Sequence, residues 1–273
     1  MKKENRVLQF LTSKKARSYL LIAVLVVALY VVFNLLIGAG VINRYYEGIV
    51  RLICINIIMA VSLNLVCGFM GQLALGHAGF MSVGAYAAAL FTMNSGLPEA
   101  VALPLSLIVG GLFAAVIGFI IGIPALRMRG DYLAIITLGF GEIIRVIIQN
   151  LKVAGGMGLD KGAAGQALIG IDRLANLYVE FWITVVTVVL LFMFARSRYG
   201  RAVKAIRDDE IAASASGINI TYMKVLVFAI SAFFAGIAGG IFAQYIGSLN
   251  PAMAGWLQSI NYVIMVVFGG MGS

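Results

Sequence analysis

"WITVVTVVLLFMFARSRYGRAVKAIRDDEIAASASGINITYMKVLVFAISAFFAGIAGGIFA" (182–243) joins two long apolar runs through one charged, alanine-rich segment. Between positions 201 and 210 the chain carries Arg201, Lys204, Arg207, Asp208, Asp209 and Glu210. Outside 196–224 the quoted stretch carries no charged residue. A soluble core does not need repeated apolar stretches of about 20 residues, whereas a bilayer about 30 Å thick does. The mean hydropathy of +1.02 and the 32 glycines agree with a polytopic membrane protein. The charged segment then reads as a loop outside the bilayer between two spans.

Working outward, eight spans are expected, at about 18–38, 48–67, 73–93, 100–126, 131–151, 178–195, 222–247 and 255–272. The first is basic and then apolar, too long for a signal-peptide core, and is read as a retained span. Most of the 20 Lys and Arg then fall in three segments. One is 1–17, one is the "RMRGD" turn with Arg127 and Arg129, and one is 196–224. Eight spans put all three on one side, which the positive-inside rule makes cytoplasmic, the N-terminus included. Only Arg44, Lys152, Lys161 and Arg173 fall in the opposite loops, and Arg51 can snorkel from the outer end of span two. The net charge of +9 is thus explained by sidedness, and no nucleic-acid partner is expected.

Small residues recur at helical spacing in "GGLFAAVIGFIIG" (110–122) and "SAFFAGIAGGIFA" (231–243), allowing close helix contact. Two stretches depart from a plain span. "GFMGQLALGHAGFMSVGAY" (68–86) brings five glycines, Gln72 and His77 to the membrane region. It is either a broken helix beside a transport path or a polar end of span three. "DYLAIITLGFGEIIRVIIQN" (131–150) carries Glu142 and Arg145 inside a span, on one face at i,i+3. A mutual ion pair accounts for both charges without a ligand. Cys54 and Cys67 read as small buried hydrophobes. There is no GxxxxGK[ST], HExxH, CxxC or GxSxG, and a single histidine supplies neither a His-rich metal site nor a Ser-His-Asp triad. No catalytic residue and no metal ligand is expected.

Residues 200–218 are expected to form a short exposed helix stopping at Gly217, with a small-residue face suited to docking in a partner's groove. The alternative is a helix lying on lipid headgroups, against which three consecutive acids count.

Glu210, Ala212, Ala213, Gly217 and Ile218 in "EIAASASGI" resemble the cytoplasmic coupling motif of ABC importer permeases. Four stretches are similar to LivM-type permeases of branched-chain amino-acid ABC transporters: 71–90, "RMRGDYLAIITLGFGEIIR" (127–145), "SRYGRAVKAIRDDEIAASASGIN" (197–219) and 234–273. The resemblance runs from about residue 50 onward. It implies an all-α permease domain over 1–273 in a bacterial inner membrane. It also implies a second permease subunit, two ATPase subunits carrying ATP and Mg²⁺, and an extracytoplasmic substrate-binding protein, with membrane lipid around the spans. No cofactor is expected on this chain. Arg201, Lys204, Arg207, Asp208, Asp209, Glu210, Ala212, Ala213, Gly217 and Ile218 would then meet the ATPase subunits.

The loop "KVAGGMGLDKG" (152–162) is similar to the family's glycine-rich outer segment without matching it. Similar permeases continue past "FGGMGS", and "VCGFMGQ" (66–72) matches "VFGGMGS" (267–273) at Val, Gly, Met and Gly. If these are internal repeats, a partner of 73–90 is missing, so a C-terminally incomplete chain is expected. The function expected is import of branched-chain or related small amino acids by alternating access, with Asn64, Gln72, His77, Thr137 and Glu142 as candidates along the path. Three rivals remain: the same machine carrying urea or short amides, a secondary transporter using Glu142, and a membrane scaffold.

Overall fold

A computed structural model describes residues 14–38, 43–126, 128, 130–150, 168–171, 173–174 and 176–272. Arg127, Arg129, the loop 152–162 and the basic terminus up to residue 13 lie outside the described residues. Helix α1 spans Lys14–Gly38 and α2 spans Arg44–Asn64, continued by a π turn, Leu65–Phe69. Then come α3 (His77–Ser95), α4 (Glu99–Ala125) and α5 (Asp131–Asn150). After α6 (Leu177–Arg196), the short helices α7 (Arg198–Asp208) and α8 (Glu210–Ala215) lead into α9 (Ile220–Ile246). A 3-10 turn, Pro251–Ala254, precedes α10 (Trp256–Phe268). Among the described residues, the exception to an all-helical fold is a two-residue antiparallel pair, β1 (Leu168–Ile169) with β2 (Ser248–Leu249).

The contacts divide the chain into two units, 1–51 and 52–273. Within the first, Arg51 Nη2 donates to Glu47 Oε1 at 3.0 Å, an i,i+4 pair that neutralises the cation locally. Within the second, α9 packs along both α3 and α4.

That trio is inverted relative to a soluble core. On α4, Ser106, Gly110, Ala114, Gly118 and Gly122 are buried, whereas Leu112, Phe113, Val116, Phe119 and Ile120 are exposed. Lipid solvates large apolar side chains as well as protein does, so close backbone approach through small residues, rather than hydrophobicity, selects the inner face. A Cβ on Gly84 would lie 2.2 Å from the Gly236 Cα, and one on Gly239 would lie 1.9 Å from the Met81 carbonyl oxygen.

Among the described residues, six helices are long and apolar enough to cross a membrane: 44–69, 99–125, 132–150, 177–196, 220–246 and 251–268. The other two expected spans, at about 18–38 and 73–93, also fall on helices, α1 and α3, and α3 is the less apolar of the two. Helix α3 holds 19 residues, about 28 Å at 1.5 Å per residue. Its length suffices, but it is rich in Ala, Gly and Ser because protein encloses it: His77, Ser82, Ala85, Ala89 and Thr92 are all buried. A helix shielded from lipid is not required to be greasy. The interruption at 71–76 lies between the π turn that ends α2 and the start of α3 at His77.

Candidate functional site

The charged segment forms an elbow of two capped helices rather than the one helix expected. Ser197 opens α7, its Oγ accepting from the Gly200 N–H at 3.3 Å. Asp209 is extended at φ −158°, ψ 113°, and its Oδ1 accepts from Ile211 N at 2.8 Å and Ala212 N at 3.1 Å. The residue that ends α7 therefore caps α8. At the far end Gly217 takes φ +82°. Ile218 N donates to the Ala213 carbonyl at 3.1 Å and Gly217 N to Ser214 at 3.0 Å, a Schellman closure that favours glycine at this position.

Helix α7 buries Val203 and Ile206, three apart, and leaves Arg201, Lys204, Arg207 and Asp208 exposed. On α8 the expected small-residue face is split. Ala212 is exposed and Ile218 half-buried, but Ala213 is 4% exposed and supports the helix from inside. The feature that outward reasoning missed is Ile211, a β-branched apolar side chain left 77% exposed. Ile211, Glu210, Ser214, Ala215 and Ile220 line a shallow groove. The signal in the sequence was one isoleucine among small and charged residues, which its neighbours made easy to overlook.

Two polar contacts tie this elbow to the spans. Glu210 forms an ion pair with the buried Lys224 in the first turns of α9. A cation at a helix N-terminus faces an unfavourable dipole, so the carboxylate compensates both charge and dipole. Arg207 Nη1 donates to the Gly68 carbonyl in the π turn at 2.6 Å, and Lys204 Nζ lies 4.9 Å from the Phe69 ring centroid.

Four of the candidates for a translocation path, Asn64, Gln72, His77 and Thr137, lie around the interruption at 71–76. Asn64 Oδ1 accepts from Gly272 N at 3.0 Å. Thr137, 2% exposed, accepts from Leu75 N at 3.0 Å, and its own carbonyl oxygen lies where a Cβ on Gly76 would come within 2.1 Å. His77 Nε2 sits 2.9 Å from Ser62 Oγ, which itself donates to the Met59 carbonyl at 3.0 Å, so the imidazole supplies the N–H. Ser231 Oγ on α9 donates to the Ser62 carbonyl at 2.6 Å. Gln72 is half-buried, and its Oε1 meets no hydrogen-bond partner among the described residues.

Glu142 stands apart from these. Its Oε2 accepts from Arg145 Nε at 2.6 Å, the expected ion pair, while Oε1 accepts from Trp256 N at 3.0 Å. The carboxylate thus caps α10 from a neighbouring helix, where its charge suits the dipole. Ser259 of α10 in turn accepts from Ala78 N at 3.2 Å and caps α3. Helices α5, α10 and α3 are joined by caps that no local pattern could reveal.

Residues 45–273 match the family model described as branched-chain amino acid transport system / permease component. The chain belongs to that family. It is 36% identical over 280 residues to the high-affinity branched-chain amino acid permease protein LivM of Escherichia coli K12, covering 93% of this chain and 63% of the relative. Against LivM of Salmonella typhimurium the identity is 36% over 259 residues, covering 85% of this chain and 60% of the relative. The ribose import permease RbsC of Haemophilus influenzae is 29% identical, over 81% of this chain and 67% of the relative. The chain spans about three-fifths of the length of the LivM permeases it matches. No solved structure matches it. With six helices among the described residues able to cross a bilayer, this member of the permease family is a multi-pass membrane protein.

Proposed function

We propose that this chain is a permease subunit of an ATP-driven importer of branched-chain or related small amino acids, and that residues 197–218 dock on its ATPase subunits. The observation that carries the reading is the elbow itself. Capped at both ends, presenting exposed Ile211 over a groove and bonded to α9 and the π turn, it suits a surface that receives force and passes it on. Branched-chain substrates are favoured by the higher identity to LivM than to the ribose permease. A second permease subunit, two ATPase subunits holding ATP and Mg²⁺, and an extracytoplasmic binding protein complete the assembly. The elbow and the N-terminus lie on the cytoplasmic side, and transport proceeds by alternating access.

The test is co-purification of ATPase subunits with the full-length native subunit, with and without Ile211→Asp and Ser214→Trp. Glu210 is a poor probe of docking, because its replacement also strands Lys224. Retention by the native subunit and loss in both variants is the expected result. Failure of any ATPase to co-purify with the native subunit would overturn the reading.

A further inference from the structure

The two matching heptapeptides, 66–72 and 267–273, meet in space at one side chain. Their equivalent glycines, Gly71 and Gly272, both adopt the left-handed region, at φ +71° and +78°. Both lie against Arg207. A Cβ on Gly71 would come 2.8 Å from the Arg207 Cγ, and one on Gly272 would come 2.7 Å from its Nη1. Gly68 is equally confined, since a Cβ there would lie 2.3 Å from the Gly272 nitrogen.

The π turn explains why a cation is wanted here. Met70 N bonds to the Leu65 carbonyl at 3.2 Å and Gln72 N to Val66 at 3.2 Å, longer loops than an α-helix makes. Such a turn takes carbonyls out of the regular ladder, and the Gly68 carbonyl receives the Arg207 guanidinium instead. Asn64 closes the other side by accepting from Gly272 N. One guanidinium, belonging to the elbow, is therefore bonded to the end of α2 and lies against the glycine turn after α10, which Asn64 ties to α2.

We infer that Arg207 is a positioning residue that delivers movement of the docking elbow to the interrupted helix, by clamping the π turn at Gly68 and the glycine turn at Gly272 into one joint. The inference rests on the docking reading above and adds its route. Glu210–Lys224 carries force to α9, and Arg207 carries it separately to α2, α10 and the 71–76 segment from which α3 starts. In this joint Lys204 is an auxiliary contact through Phe69.

The experiment uses the full-length native subunit reconstituted with its ATPase partners in proteoliposomes, in a Cys54→Ala background. It reads ATP hydrolysis, amino-acid uptake, and the rate at which N-ethylmaleimide reaches Cys67, which is buried inside the π turn. With Arg207→Ala, the amino acid taken up per ATP hydrolysed falls about tenfold, a loss of coupling beyond any change in docking. Cys67 labels about fivefold faster as the turn opens. Arg207→Lys restores part of the uptake, and Gly71→Ala, which displaces the Arg207 stem, reproduces the uncoupling should Arg207→Ala fail to assemble. Hydrolysis and uptake falling in equal proportion, or neither changing, would overturn the coupling role. Unchanged Cys67 labelling would sink the joint itself, whether or not ATPase subunits bind. An absence of ATPase subunits on the native protein would instead remove the docking reading, and the coupling role with it.

Discussion

The α3–α4–α9 trio and the joint between elbow and π turn hold their helices together by opposite means. In the trio, contact is made by what is missing: Gly84, Gly236 and Gly239 have no side chains, so backbone lies on backbone. In the joint, contact is made by a few long charged side chains, Arg207, Lys204 and the Glu210–Lys224 pair, reaching across gaps. Dispersion between close backbones falls off steeply with any gap, so the trio has one arrangement and resists change. Long side chains can swing and re-pair. A transporter built this way would keep its trio rigid and move at its joint.

The largest effect is expected from adding one methyl to the trio. Gly84→Ala puts a Cβ 2.2 Å from the Gly236 Cα, against backbone that cannot turn aside. A loss of about 3 kcal/mol is expected, at the upper end of overpacking costs. Thermal unfolding in detergent should show it as a large drop in midpoint with a poorly dispersed protein. Gly139→Ala is the control, since no heavy atom lies within 4 Å of its Cβ. Equal losses at the two positions would mean that close packing is not what holds the trio.

The difference between the two regions also decides what could be read from the sequence. The trio was legible, because small residues at helical spacing in 110–122 and 231–243 announce a tight interface. So was the Glu142–Arg145 pair, which local spacing places on one face. The elbow was legible as a charged break and as a helix stop at Gly217, but its division at Asp209 was not, since continuous helix and two capped helices share the same composition. The joint was almost illegible. Arg207 lies 139 residues from Gly68, and Gly272 lies 208 residues from Asn64, so no window contains either contact. The match between 66–72 and 267–273 was the one trace, and it read as a repeat rather than as a meeting point. Span three was found as a helix but overestimated in apolarity, because hydropathy measures exposure to lipid and α3 is wrapped in protein.

A middle-sized effect tests the joint's other arm. Glu210→Ala leaves Lys224, 3% exposed, without its carboxylate. Removing one partner of a fully buried pair costs 3–5 kcal/mol, and the partly exposed Glu210 reduces that to about 2 kcal/mol here. The expected outcome is a lower thermal midpoint that Lys224→Met largely restores in the double variant, since an apolar pair no longer strands a charge. A double variant no more stable than Glu210→Ala alone would show that the pair is not what Lys224 depends on.

The smallest effect is expected where charge is present but already shared out. Glu142→Gln keeps an oxygen able to accept from Trp256 N and loses only the ionic part of the bond to Arg145. Arg145 is about one-third exposed and can turn to water, so the cost is about 0.5–1 kcal/mol, in the range of a screened pair. Uptake should stay within about twofold of the native rate, because the carboxylate's task here is to cap α10 and neutralise its neighbour. Abolished uptake with an unchanged thermal midpoint would mean that Glu142 takes up and releases a proton or ion during transport. That outcome would move the centre of action from the joint at Arg207 to the middle of α5, and an ATPase-independent carrier would become the better account of the chain.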